Sequence, residues 1–105
     1  MANKHRGEIN AVIGGKKLVL CLTLGALAEL ESRLQADDLV ALGEKFAQGH
    51  VSARHLLAII GAGLRGGGNQ ISDEELARMP IENGLKGAAE IAARLLQATF
   101  GEVPE

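Results

Sequence analysis

Few residues in this chain could carry covalent or acid–base chemistry: Cys21, His5, His50, His55 and the carboxylates. A nucleophilic centre needs an attacking group, a base and a third group to orient the base, all within hydrogen-bond reach. Cys21 is the sole cysteine. It falls in an apolar stretch with Val19 and Leu22, where a thiol behaves as a small hydrophobe. A single cysteine allows no intramolecular disulfide, so no oxidising compartment is required and a cytoplasmic setting is expected. His5 lies in the basic amino-terminal stretch. His50 and His55 miss the i, i+4 spacing that places two imidazoles on one helix face, so no metal site is expected. Asp37-Asp38, adjacent at a helix start, reads as a cap and a dipole partner rather than an acid–base pair.

The run Gly61-Ala62-Gly63-Leu64-Arg65-Gly66-Gly67-Gly68 invites comparison with a phosphate loop, because successive backbone N–H groups can cradle an anion. Such loops lead from a strand into a helix and use that helix's amino terminus. Here the glycines follow a helical pattern, and no Lys-Ser/Thr pair comes after them. Gly61 and Gly63 are expected to permit close helix packing, and Gly66, Gly67 and Gly68 to form a helix cap and a hinge. No catalytic residue and no cofactor is expected.

The elements that must position these residues are short. The chain has 105 residues, enough for a single domain spanning 1–105, with 47% hydrophobic and 23% charged residues. Eleven Lys and Arg face thirteen Asp and Glu, a formal net charge of −2. Nucleic-acid binding domains usually carry a basic surplus. With no Trp or Tyr and only Phe46 and Phe100, the chain also lacks stacking platforms for single strands. Nucleic acid is therefore not an expected partner. No apolar run reaches the roughly 18–20 residues that a membrane span requires, and no signal-like apolar core follows the first residues. Lys4, Arg6, Lys16 and Lys17 make one end locally basic, which fits a solvated face or, more sharply, an acidic partner.

The pattern predicts a β-hairpin over 7–23, with Gly14-Gly15 as its turn and Leu18, Leu20 and Leu22 on one side. A flexible arm, 1–6, precedes it. Helices are expected to fill 24–100. Thr23 caps the first, with Leu24, Leu27, Leu30 and Leu34 as its stripe. A second restarts at Asp37-Asp38, carries Leu39, Leu42 and Phe46, and ends at Gly49. Ser52 caps a third carrying Leu56, Ile59, Ile60 and Leu64, and 65–69 form a loop. Ser72-Asp73-Glu74-Glu75 is a capping box that opens a fourth, which Pro80 terminates. The last begins near 81–84 and runs to Phe100 with Leu85, Ala88, Ala89, Ala92, Leu95, Leu96 and Thr99 inward, and 101–105 form a frayed tail. The fold class is α+β: an amino-terminal hairpin followed by about five short helices.

The segment Thr23-Leu24-Gly25-Ala26-Leu27-Ala28-Glu29-Leu30-Glu31, directly after a glycine-turn hairpin, resembles the gene-transfer-agent and tailed-phage tail assembly family. The likeness continues through Ser52-Ala53-Arg54-His55-Leu56-Leu57, Gly63-Leu64-Arg65-Gly66-Gly67-Gly68 and Thr99-Phe100-Gly101, and includes the start Asn3-Lys4-His5-Arg6-Gly7-Glu8. The resemblance implies a small non-enzymatic protein encoded among the tail genes of a prophage or gene transfer agent. Members are described either as tail tube proteins or as tail assembly chaperones. A tube subunit typically needs a β-rich body whose strands join neighbours into a ring, and one hairpin offers little for that. The chaperone or adaptor description is therefore preferred, with the tape-measure protein and the tail tube protein as implied partners. A structural tube component is the alternative, and a homo-oligomer stays open. The candidates that resemblance offers for motif or partner surface are Thr23, Leu24, Gly25, Leu27, Leu30, Glu31, Ser52, Arg54, Leu56, Arg65, Gly66, Gly67, Gly68 and Phe100.

Overall fold

A computed structural model describes residues 7–34, 48 and 52–100. Strands β1 (Glu8–Ile13) and β2 (Lys16–Cys21) form an antiparallel hairpin. Four helices follow among the described residues: α1 (Leu24–Leu34), α2 (Ala53–Gly66), α3 (Asp73–Arg78) and α4 (Gly84–Phe100). This is the expected α+β order, with four helices rather than about five. The expected second helix over 37–48 lies outside the described residues but for Gln48, as do His5, His50, the arm 1–6 and the tail 101–105.

The hairpin forms where alternation and turn chemistry agree. Gly14 and Gly15 take φ of +63° and +78°, the positive pair that a type I′ turn requires and that side chains resist. The register sets Ile9 opposite Leu20 and Ala11 opposite Leu18. Ile9, Ala11, Ile13 and Leu20 are thereby buried on one face. A two-stranded sheet is marginal alone. Its apolar face is completed by Ile59, Ile60 and Leu64 of α2 and by Ala92, Leu95 and Leu96 of α4, all buried in the same core.

Local signals account for most helix ends. The Thr23 hydroxyl accepts the Ala26 N–H at 3.1 Å, capping α1. Leu30 is fully buried and Leu27 half-buried, but Leu24 is 84% exposed. The expected stripe extends one residue too far, because Leu24 occupies the first helical position and points past the core. Leu85, at the second position of α4, departs from its stripe in the same way and is 53% exposed. Ser52 precedes α2 in extended backbone, yet its side chain makes no cap hydrogen bond. At α3 the capping box is complete. The Ser72 hydroxyl accepts from Glu75 N–H at 3.1 Å, and the Glu75 carboxylate accepts from Ser72 N–H at 3.2 Å. Replacing Ser72 with alanine is expected to cost about 1 kcal/mol, read as a lower midpoint in urea with an unchanged slope.

The glycine run behaves differently from the expected loop and hinge. Helix α2 continues through Arg65 and Gly66 and is closed by Gly67. Gly68 follows with φ of +95°. Its N–H bonds to the Arg65 carbonyl at 3.1 Å, and the Asn69 N–H bonds to the Leu64 carbonyl at 2.9 Å. This pair of bonds is a Schellman cap. A Cβ on Gly66 would overlap the Cys21 carbonyl oxygen, and one on Gly67 would overlap that of Val19. The absence of side chains thus lets the end of α2 lie directly on the backbone of β2. Asn69 fastens the junction, its Nδ2 donating to the Val19 carbonyl at 2.7 Å and the Leu64 carbonyl at 3.1 Å. The run is the expected cap, pinned to β2. Gly63 fits its expectation: a Cβ there would overlap the Leu95 side chain.

Candidate functional site

Among the described residues, the groups that could do chemistry are not brought together. Cys21 is half-buried on the hairpin face opposite the core, in register with Glu8. Partial burial, and secondarily the Glu8 carboxylate, pushes its thiol above the ordinary value. It is therefore protonated and weakly nucleophilic at neutral pH. His55 sits in the first turn of α2, and no group of three or more His, Cys, Asp or Glu residues able to hold a metal occurs among the described residues. No helix of the described residues is long and apolar enough to cross a membrane.

Among the described residues a polar and an apolar surface feature stand out. The polar one joins three helices: Arg65 of α2 donates to Asp73 of α3 at 2.9 Å, and Arg33 of α1 donates to the other Asp73 oxygen at 2.8 Å. Glu29 lies 3.4 Å from Arg33 and 3.5 Å from Arg65. Arg65 also donates to the Ile71 carbonyl at 3.1 Å. Partial burial alone would raise the Asp73 pKa, but the bonds from Arg65 and Arg33 outweigh it and hold this carboxyl below its ordinary value. As pH falls below about 4, the unfolded chain protonates here before the folded chain does, so stability declines toward acid. Asp73→Asn is expected to lower stability by about 1 kcal/mol at neutral pH, since these side chains are partly exposed. The difference from the native chain should shrink as pH is lowered through the acid range. Equal differences at neutral and acid pH would assign the loss to packing instead.

The apolar feature is a groove of about 350 Å³ between α2, α3 and the start of α4. Leu56, Leu57 and Ile60 form one wall, Leu76 and Met79 another, and Leu85 the third. It exists because α3 is only six residues long and Met79 is extended, so the chain crosses from α2 to α4 without filling the space between them. Of the candidates for motif or partner surface, only Leu56 lines it. Thr23 and Ser52 mark helix starts, Leu30 is core, and Leu27 packs against the core. Gly25, Glu31 and Arg54 are exposed. Arg65 belongs to the ion-pair cluster, and Gly66, Gly67 and Gly68 to the pinned cap. Leu24 and Phe100 are exposed apolar side chains, Phe100 at 45%. Sequence reasoning missed Leu57, Met79 and Leu85 as groove residues. Met79, just before Pro80 and outside any periodic stripe, was the available signal.

A search of curated proteins returned no match, and neither did a search of solved structures. A family model described as phage tail tube protein, GTA-gp10, matches residues 6–102. That span takes in the hairpin, all four helices and the glycine cap, and agrees with the resemblance read from Thr23–Glu31 onward. By this match the chain belongs to the phage tail tube protein, GTA-gp10, family.

Proposed function

We propose that the chain works in building a phage-type tail by binding other tail proteins, without catalysing a reaction. The family description names the tail tube, and taken literally it favours a structural component of the tube. The described residues favour a second role at the same place, an assembly adaptor that holds the tape-measure protein and the tube protein before they are joined. The observation that carries the adaptor reading is the balance of elements. Among the described residues a single two-stranded sheet stands against four helices, two of which pack on it, and an open apolar groove is of the kind that accepts an amphipathic helix.

The two readings part on where the protein ends up. Co-expression with the tape-measure and tube proteins of the same particle should yield a complex with one or both. Finished particles from the native host, analysed by quantitative mass spectrometry, should then contain little of this chain relative to the tube protein. An adaptor is left behind, whereas a tube component is retained in fixed proportion. Stoichiometric retention would establish the structural reading. Failure to bind either protein would remove both.

A further inference from the structure

A free strand edge is a template for another strand, through its row of unpaired N–H and C=O groups. The hairpin has two outer edges, and this chain occupies both along most of their length. In an antiparallel ladder, alternate residue pairs exchange their hydrogen bonds while the others aim their backbone groups outward. Asn10 and Val19 face each other in the register, and both carbonyls accept bonds from outside the ladder, Asn10 from Arg94 at 3.2 Å and Val19 from Asn69 at 2.7 Å. They are therefore an outward-facing pair, and each carbonyl is taken.

Much of the rest of each edge is covered too. Along β1, helix α4 runs beside the strand in the opposite sense. Gly7 lies against the backbone of Ala98 and Thr99, and Arg94 reaches Asn10. Ile13 forms an antiparallel bridge with Ile81, while Gly14 N–H donates to the Pro80 carbonyl at 2.8 Å. Along β2, Gly66 and Gly67 lie so close to the Cys21 and Val19 carbonyls that no side chain fits between. The remaining end of β2 carries Lys16 and Lys17, both exposed, and charged lysines are a common means of discouraging edge pairing. We infer that the sheet is closed to strand addition on both edges, so that neither a second copy of this chain nor an extended peptide lengthens it. The inference concerns the mode of contact and is drawn from the two edges alone; it fits the adaptor reading better than a tube built by joining strands.

The test is amide hydrogen exchange of the full chain, followed residue by residue. One arm compares dilute and concentrated protein; a second adds synthetic peptides with the sequences of 8–13 and 16–21, the strands best matched to these edges. The expected result is less than about a twofold change in exchange at Asn10, Val12, Lys17 and Val19 in both arms. If the chain self-associates, slowed exchange should fall outside the hairpin. New protection at these four amides, with either a second copy or a peptide, would overturn the inference. The family match would stand in that event, and the tube-component reading would gain.

Discussion

Alanine at position 67 is expected to destabilise the protein by about 3 kcal/mol, near the top of the range for overpacking. Gly67 has φ of −83°, which alanine adopts freely, so the backbone conformation raises no objection. The obstacle is the Val19 carbonyl, with which the new Cβ would overlap, and a backbone group in a paired strand cannot swing aside as a side chain can. Either α2 lifts off β2 or the hairpin shifts, and Asn69 loses its bond to Val19 in both cases. Gly66→Ala meets the Cys21 carbonyl and should cost a similar amount. Gly68→Ala is the control. Its neighbourhood is open, but φ is +95°, so only backbone strain of about 1–2 kcal/mol is expected. Urea midpoints rank the three. A Gly67→Ala loss no greater than that of Gly68→Ala would mean that the close approach to β2 does not exist in solution. For a domain whose entire stability is on the order of 5–15 kcal/mol, the larger loss is a severe one.

The second large effect lies where α2 crosses α4. Leu95 is fully buried, and Leu95→Ala is expected to cost about 4 kcal/mol through lost burial and the cavity left behind. Gly63→Ala alone should cost about 2 kcal/mol, because its Cβ would overlap a terminal methyl of that same leucine. Together the two changes should cost less than their sum by on the order of 1 kcal/mol. The added methyl then enters space that Leu95 has vacated. Leu20 atoms at 3.4 Å from the new Cβ limit the recovery. Strict additivity in a double-mutant cycle would show that Leu95 is not what excludes a side chain at position 63.

Much of the fold was legible because local and tertiary demands coincide in it. Gly14-Gly15 asks for a turn that the flanking alternation also needs. Thr23 and the Ser72–Glu75 pair cap helices whose apolar faces begin immediately afterward. Where the reading went astray, a contact distant in sequence decided the matter. The glycines that follow Arg65 have poor helix propensity, yet the bare surface of Gly66 and Gly67 serves the β2 backbone, and the helix extends to reach it. Periodicity counts Leu24 and Leu85 as core, but the first turn of a helix projects beyond the elements it packs on. The groove was the least legible feature. It depends on how a six-residue helix and an extended Met79 are set between two longer helices, and no spacing in the sequence encodes that.

The covering of β1 by α4 has a consequence for how the protein is made. Asn10 is held by Arg94, 84 residues further along the chain, and Gly7 rests on Ala98 and Thr99. The hairpin leaves the ribosome well before α4, so its lid is synthesised long afterward. At typical elongation rates of about 5–20 residues per second, that gap lasts roughly 4–17 s. Hairpins form in microseconds, so β1 and β2 can meet early, but without α4 to rest on. During this interval the nascent chain displays Ile9, Ile13 and Leu20 together with an uncovered strand edge. The arrangement that seals the finished molecule is thus what leaves it most open to misassembly during translation.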